Sequence, residues 1–181
     1  MNRVELLEYN RNRRICQICF ATYDLEKTLK NWVEKFGVGP WKVMKYTDKN
    51  VVDNMAYGKP VEGEFEQYVA LAMFGSVELE VIAPIEGKPS GLREWLDANG
   101  PGFHHMKEYV SNAERSWKEK EYEERFGVPI ISSGKQPPDE YWFVDSEPLI
   151  NFKLECGNFA HLEPDKLIAE NKVETFWYPA E

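Results

Sequence analysis

The sequence repeats its own pattern once, and this repeat constrains the fold more than any other feature. Residues 35–40 (KFGVGP) and residues 125–129 (RFGVP) each follow a predicted helix, and each helix follows a predicted strand. Each half ends in a predicted hairpin whose last strand carries a glutamate, in VELEVIAP (77–84) and INFKLECG (150–157). One such half cannot bury the face of its own sheet, so the two halves must pack together. The pattern predicts an α+β fold in which two tandem βαβββ modules form a curved mixed sheet around a central cavity.

Apolar periodicity and turn residues predict the elements of both halves. A polar loop is predicted from about residue 48 to Pro60, between the second and third strands of the first half. The elements predicted in the first half are, in order, strand Ile15–Thr22, helix Leu25–Phe36, strands Trp41–Tyr46, Glu66–Phe74 and Val77–Pro84, and helix Gly91–Gly100. Those predicted in the second half are strand Phe103–Val110, helix Asn112–Phe126, and strands Val128–Ile131, Tyr141–Val144 and Leu149–Cys156.

The same pattern divides the chain, within one structural domain, into residues 15–100 as the first module and 101–157 as the second. Residues 1–14 form an N-terminal segment, and residues 158–181 form a tail without a counterpart in the repeat. In this tail the sequence predicts a helix at about Pro164–Asn171. It also predicts that the aromatic end Phe176–Tyr178 docks on the body or on a second subunit.

Composition limits the class of protein. The chain of 181 residues is 43% hydrophobic and 29% charged, which suits one globular domain with a real core. It has no apolar run of about 18 residues and no apolar segment at its N-terminus, so we expect no membrane span and a cytosolic location. A net charge of −9 argues against nucleic-acid binding. The odd number of cysteines predicts reduced thiols, and Cys16 and Cys19 should face opposite sides of one strand.

Four polar residues occupy equivalent places in the repeat. Gln17 and His105 lie in the first strands of the two halves, and Glu80 and Glu155 lie in the last strands. Each has a simpler explanation, because a glutamate on an alternating strand usually faces solvent and a single histidine is usually structural. The segment Glu78–Glu80 could be such an alternation. Four symmetric matches nevertheless predict that these side chains converge on the cavity.

At these positions the chain resembles the vicinal oxygen chelate superfamily, and is most similar to its glyoxalase I and methylmalonyl-CoA epimerase branches. The resemblance covers about residues 15–156. It rests on the sequences QICFATYDLEKTLKNWVEKFGVGPWKV, VELEVIAP, GPGFHHMKEYV and INFKLECG, in that order. It implies one divalent metal ion (Zn, Ni, Co, Mn or Fe) held by Gln17, Glu80, His105 and Glu155. It also implies that His105 is the ligand of the pair, and strand alternation would then turn His104 away.

Lys107 departs from the superfamily pattern, since small or apolar residues usually follow that histidine. By alternation Lys107 shares the cavity face with His105, and Lys153 shares a face with Glu155. A buried lysine needs a charge partner. Lys107 therefore either binds an anionic group of a substrate or neutralises Glu78 or Glu80, and in the latter case the metal could be lost.

The resemblance implies a lyase or isomerase of small molecules, in which Glu155 abstracts a proton next to a metal-bound carbonyl. Two alternatives stay open: a ring-cleaving dioxygenase, which usually needs a second histidine, and a metal-free binding or resistance protein. The sequence does not identify the substrate. Sheet edges and the aromatic tail predict a homodimer.

Overall fold

The computed structural model describes residues 1–137, 139–158 and 173–180. In this part of the chain eleven strands form one mixed sheet. The strands are β1 (Ile15–Ala21), β2 (Trp41–Thr47), β3 (Val52–Ala56), β4 (Lys59–Pro60), β5 (Glu66–Phe74), β6 (Val77–Pro84), β7 (Gly102–Tyr109), β8 (Ile130–Gln136), β9 (Asp139–Val144), β10 (Lys153–Gly157) and β11 (Thr175–Tyr178). The helices are α1 (Arg3–Asn10), α2 (Leu25–Phe36), α3 (Gly91–Asn99), α4 (Arg115–Lys120), which continues into a π-helical turn (Glu121–Arg125), and α5 (Glu147–Ile150).

The strand order across the sheet is β11-β2-β5-β6-β1-β7-β10-β9-β8-β3-β4. Central strand β1 pairs in parallel with β6 and antiparallel with β7. The second half repeats this plan, because β7 pairs in parallel with β10, which pairs antiparallel with β9. Strands β2 and β3 are joined by residues 48–51 alone yet lie near opposite ends of the sheet, so the sheet must curl until its ends approach. The predicted fold class is confirmed.

Helices cover the convex face of the curled sheet. Leu29 of α2 is buried against Trp41 and Val81, and Tyr122 of the π-helical turn packs with Trp142 of β9. A third apolar cluster lies on the concave side. It contains the buried side chains of Cys19, Ala21, Met44, Tyr46, Val51, Val69, Leu71, Ile82, Leu92, Leu96 and Val173. Helix α3 supplies two of these residues and thereby closes one side of the cavity.

Helix α2 has the bounds that its end signals predict. The carboxylate of Asp24 accepts a hydrogen bond from the backbone N–H of Lys27 at 3.0 Å, as an N-cap does. Gly37 ends the helix in the left-handed conformation, with φ of 65°. Cys16 and Cys19 both lie in β1 as buried free thiols. As the sequence predicts, both belong to one strand and not to a turn.

Several predicted bounds are wrong for local reasons. The polar loop before residue 60 contains β3 and β4, which pair with each other, and β3 also pairs with β8 of the second half. Strand β8 starts at Ile130 and is longer than predicted, since its small polar residues hide an alternating strand. The last strand begins only at Lys153, because Asn151 ends α5 in the left-handed conformation.

The two termini add elements that the repeat does not contain. The N-terminal segment forms α1, which begins at a capping box made by Asn2 and Glu5. The aromatic end forms β11 and pairs antiparallel with β2, so it docks on the body of its own chain. The predicted helix at Pro164–Asn171 lies outside the described residues. Homodimer formation remains a prediction. No helix in the described ranges is long and apolar enough to cross a membrane.

Gly157, at the end of β10, tests how tightly the second half is packed. A Cβ atom there would lie 2.3 Å from the carbonyl oxygen of Glu140 and 2.9 Å from Cε of Lys107. Because one of these neighbours is backbone, we expect Gly157→Ala to lower the free energy of unfolding by about 1–3 kcal/mol. Urea denaturation measures the change. Gly91→Ala is the control, since no atom lies within 4 Å of its Cβ position, and equal stability of both variants would contradict the described packing.

Candidate functional site

The floor of the cavity is built from two rows of side chains on the four central strands. Residues paired directly across a sheet point to the same face. In the first row Glu80 of β6 is opposite Cys19 of β1, which is opposite His105 of β7. The second row lies two residues along the strands and consists of Glu78, Gln17, Lys107 and Glu155. Strand pairing therefore brings all four predicted ligand residues to one concave surface.

One ring nitrogen lies at the centre of this floor. Nε2 of His105 is 2.7 Å from Oε2 of Glu155 and 3.1 Å from Oε2 of Glu80. It is also 3.4 Å from Oε1 of Gln17. All four residues are buried. Three oxygens from three strands thus surround a single imidazole nitrogen.

This geometry fits a divalent ion. Adjacent ligands of an octahedral ion with bonds of about 2.0–2.2 Å are about 3 Å apart, which lies within the observed range of 2.7 to 3.4 Å. The ligand atoms of Glu80, His105 and Glu155 all lie within 4.8 Å of one another. An imidazole, two carboxylates and an amide oxygen suit Mn²⁺, Fe²⁺, Co²⁺, Ni²⁺ or Zn²⁺. The assignment of these residues as ligands remains a prediction.

The charges of the floor are strongly coupled. Burial alone lowers the pKa of His105, but the charges and hydrogen bonds of Glu155 and Glu80 outweigh burial and raise this pKa to about 9. Burial alone raises the pKa of Glu155, but Lys107 and His105 outweigh it and lower that pKa to about 2. At neutral pH, without an ion, His105 carries a proton and Glu155 is ionised.

Lys107 is the member of the second row that lies deepest, below the surface of the cavity. Its Nζ is 3.1 Å from Oε1 of Glu155 and 3.6 Å from Oδ1 of Asp139, and its side chain is 1% exposed. Burial lowers the pKa of Lys107, but Asp139 and Glu155 outweigh burial and raise it above its usual range. The partners considered from the sequence were Glu78 and Glu80. The observed partners differ because Asp139 begins β9, two residues before the predicted start of that strand.

Glu78 orients Gln17. Nε2 of Gln17 donates a hydrogen bond to Oε1 of Glu78 at 2.6 Å, which turns the amide oxygen toward His105. Glu78 and Glu80 are both buried on the cavity side, while Leu79 packs on the convex side. The simple interpretation that both acids face solvent is therefore wrong.

His104 does not turn away from the cavity, and that expectation is wrong. Between β1 and β7, Cys19 is opposite His105 and Phe20 is opposite Phe103, so His104 is an unopposed bulge residue. The bulge interrupts the alternation and brings both rings to the cavity, where their Nδ1 atoms are 2.8 Å apart. Burial, together with the charge of His105, lowers the pKa of His104 to about 2, so this ring is neutral.

The cavity above the floor has a volume of about 390 Å³. Its walls come from β3 and the following loop, from α3, and from β8 and β9. The wall residues that the sequence did not assign to the site include Asn54, Val61, Phe65, Leu92, Trp95, Ser132, Ser133, Tyr141 and Phe143. Lys153 also lines the cavity, opposite His105, whereas Lys107 does not. The sequence did indicate this position of Lys153, because strand alternation places it on the same face as Glu155.

Comparisons with known proteins support the same fold. Residues 16–143 match the family model of the glyoxalase/bleomycin resistance protein/dioxygenase superfamily. A hypothetical protein from Bacillus halodurans C-125 superposes with a TM-score of 0.56 at 15% identity, covering 82% of this chain and 95% of that one. Methylmalonyl-CoA epimerase from Streptomyces coelicolor, solved with 2-nitronate-propionyl-CoA, superposes with a TM-score of 0.55 at 18% identity, covering 81% and 94%. The epimerase from Mycobacterium tuberculosis gives 0.55 at 14%, covering 81% and 87%. No curated protein matches.

The buried ion pairs of Lys107 with Glu155 and Asp139 predict a large loss of stability when the charge of Lys107 is removed. Lys107→Met keeps the length of the side chain but leaves Glu155 and Asp139 buried without their cation. We expect the free energy of unfolding to fall by about 3–5 kcal/mol, measured by urea denaturation. Lys153→Met is the matched control, because Lys153 is partly exposed and its nearest carboxylate oxygen is 3.8 Å away; it should change stability by less than about 0.5 kcal/mol. Similar values for both variants would contradict the buried ion pairs.

Proposed function

The chain belongs to the glyoxalase/bleomycin resistance protein/dioxygenase superfamily, and on this premise we propose that it is a divalent-metal-dependent isomerase or lyase of a small carbonyl compound. The membership bears out the resemblance to the vicinal oxygen chelate superfamily inferred from the sequence. The observation that carries the proposal is the single ring nitrogen of His105, faced by three oxygens at the floor of the cavity. The structural likeness to methylmalonyl-CoA epimerase is a likeness of fold, and it supports the isomerase class by analogy.

In this proposal Gln17, Glu80, His105 and Glu155 hold the ion. When bound, it supplies Lewis acidity that polarises a substrate carbonyl and makes the adjacent C–H more acidic. Gln17 keeps its oxygen directed inward because its amide donates to Glu78. The buried position of all four side chains keeps bulk water from competing for them.

Glu155 is the group we propose to move the proton. It lies on the floor, its Oε2 faces the site, and Lys107 holds its other oxygen at 3.1 Å. That contact fixes the carboxylate in place and keeps it ionised, although it also lowers the basicity of Glu155. Glu80 is the alternative proton carrier, since it faces the same point from the opposite side of His105.

The walls of the cavity indicate what kind of substrate fits. Aromatic and aliphatic side chains form about half of them, and polar side chains including Asn54, Gln67, Ser132, Ser133 and Asp139 lie among these, so the cavity can bind a small organic molecule that carries polar groups. Lys107 lies too deep to meet a substrate directly, so we assign it the positioning of Glu155. Lys153 lines the cavity next to His105 and is the cation that an anionic group of a substrate would meet.

A metal-free binding protein is the second candidate, and one observation favours it. His105 and Lys107 already pair with Glu155 without any ion, so this carboxylate does not need a metal ion to be neutralised. The dioxygenase alternative has less support, because iron-dependent oxygen chemistry usually uses two histidines and one carboxylate. His104 presents its Nδ1 to His105 rather than to the carboxylates.

The proposed metal site predicts a pH-dependent affinity. In the metal-free protein His105 is protonated up to about pH 9, and an ion that binds Nε2 must displace that proton. Affinity should therefore rise by about tenfold per pH unit from neutral pH to about pH 9 and then level off, with release of about one proton per ion. Titration calorimetry with Mn²⁺, Co²⁺, Ni²⁺ and Zn²⁺ in buffers of different ionisation enthalpy measures both quantities. His105→Ala should abolish the binding, and failure of every ion to bind would favour the binding-protein candidate.

The proposed chemistry predicts exchange of a substrate proton with solvent. Metal-loaded protein in heavy water should introduce deuterium next to the carbonyl of one class among 2-oxo, α-hydroxyacyl and acyl-CoA compounds, followed by NMR. Glu155→Gln keeps the size and an oxygen donor but removes the basic group, so exchange should fall by about two orders of magnitude or more.

Glu80→Gln is the matched control for this experiment, because it alters the other carboxylate at the same nitrogen. If exchange survives in Glu155→Gln and disappears in Glu80→Gln while both retain the ion, the base is Glu80. If both variants keep the ion and exchange at the wild-type rate, neither carboxylate is the base. Absence of exchange in the metal-loaded wild type with every compound class would contradict proton abstraction.

A further inference from the structure

His104 is not one of the proposed ligands, but its ring contacts the ring of His105, which is. Nδ1 of His104 and Nδ1 of His105 are 2.8 Å apart, which is a hydrogen-bond distance. The contact exists because the bulge at His104 interrupts the alternation of β7. A regular strand would place the rings on opposite faces of the sheet.

The chemistry of the imidazole ring fixes the direction of this bond. A neutral histidine that binds a cation through one ring nitrogen carries its proton on the other. With a cation on Nε2, which the carboxylates surround, the ring proton of His105 lies on Nδ1 and needs an acceptor. His104 offers the lone pair of its own Nδ1 when its proton is on Nε2.

We propose that His104 is a positioning residue, whose Nδ1 accepts the Nδ1–H of His105 and holds Nε2 of His105 toward the carboxylates. This inference rests on the proposed metal site and adds a residue to it. Rotation of His105 by half a turn about its Cβ–Cγ bond would exchange Nε2 for a carbon atom, and the bond to His104 opposes that rotation.

A second element holds His104 in place. Trp95 packs edge-to-face against it, with ring centroids 4.5 Å apart. Trp95 belongs to α3, which Leu92 and Leu96 anchor in the concave core. A series of side-chain contacts, from Trp95 of α3 to His104 and from His104 to His105, therefore joins the cavity wall to the floor. Partners of this kind, one shell outside the ligands, usually contribute about 10–100-fold to metal affinity.

Two substitutions separate the hydrogen bond from simple packing. His104→Phe keeps a flat ring against Trp95 but offers no acceptor. His104→Asn loses most of the ring but places an amide oxygen near the position of Nδ1. For each variant we would measure the affinity for Zn²⁺ and Mn²⁺ by calorimetry and the free energy of unfolding of the metal-free protein.

We expect each variant to lose only one of the two measured properties, and the two variants to lose different ones. His104→Phe should lose about 10–100-fold in affinity and retain its stability, whereas His104→Asn should stay within about threefold in affinity and be the less stable variant. Wild-type affinity in His104→Phe would overturn the proposal, since packing alone would then suffice. An equal loss of affinity in His104→Asn would also overturn it.

Nitrogen NMR of the wild-type metal-free protein tests the role of His104 separately from the proposed function. The sequence has three histidines, so the ring signals of His104, His105 and His161 can be assigned by substitution. The inference requires a proton on Nδ1 of His105 that is coupled to Nδ1 of His104. If the protein binds no ion, the proposed function fails, and this spectrum still decides whether His104 positions the ring. A bare Nδ1 on His105 would overturn the inference.

Discussion

Glu155 lies between two cations, and each of its oxygens has one of them. Nε2 of His105 is 2.7 Å from one oxygen and Nζ of Lys107 is 3.1 Å from the other. Buried charges are tolerated only when they are paired in good geometry, because desolvation removes several kcal/mol per ion. The remaining features of the floor follow from this requirement. Asp139 provides the second anion for Lys107, and Glu80 provides the second anion for His105.

The backbone accommodates this pairing at specific points. Gly157 leaves space for the stem of Lys107, since a Cβ atom there would lie 2.9 Å from Cε. Gly134 leaves space in the same way for the ring of Tyr141, whose hydroxyl would lie 2.4 Å from a Cβ. Parallel pairing of β7 with β10 places Glu155 directly opposite Lys107. A shift of this register by one residue would turn Glu155 to the convex side, where α4 packs.

The repeat made the floor predictable, and each prediction about the floor that failed has a local cause. Symmetric positions in two halves identified Gln17, Glu80, His105 and Glu155, because strand pairing in a repeated frame brings equivalent positions together. His104 could not be placed, since a bulge is invisible to a rule based on alternation. The partner of Lys107 was missed because Asp139 stands before the apolar residues that mark β9. The segment Glu78–Glu80 looked like an alternation that exposes both acids, whereas the concave face buries them.

The walls were less predictable than the floor, and the reason lies in their position in the fold. The floor residues belong to β6, β1, β7 and β10, which are paired on both sides, so their registers are fixed by many hydrogen bonds. The walls come from β3 and the loop after it, from α3 and from β8. Few sequence signals show how these elements are placed in the fold. Segment 48–63 reads as a polar loop, yet it crosses to the far end of the sheet and supplies Asn54 and Val61 to the cavity.

This division has a consequence for function. Chemistry that depends on sub-ångström geometry needs the rigid central strands, while recognition of a substrate depends on residues of loops and edge elements, which vary most readily. Under the proposed function, a chain can keep the floor of its superfamily and change its substrate by altering Phe65 or Lys153. The floor then sets the class of reaction, and the walls of this particular chain, aromatic with one lysine beside His105, select the substrate.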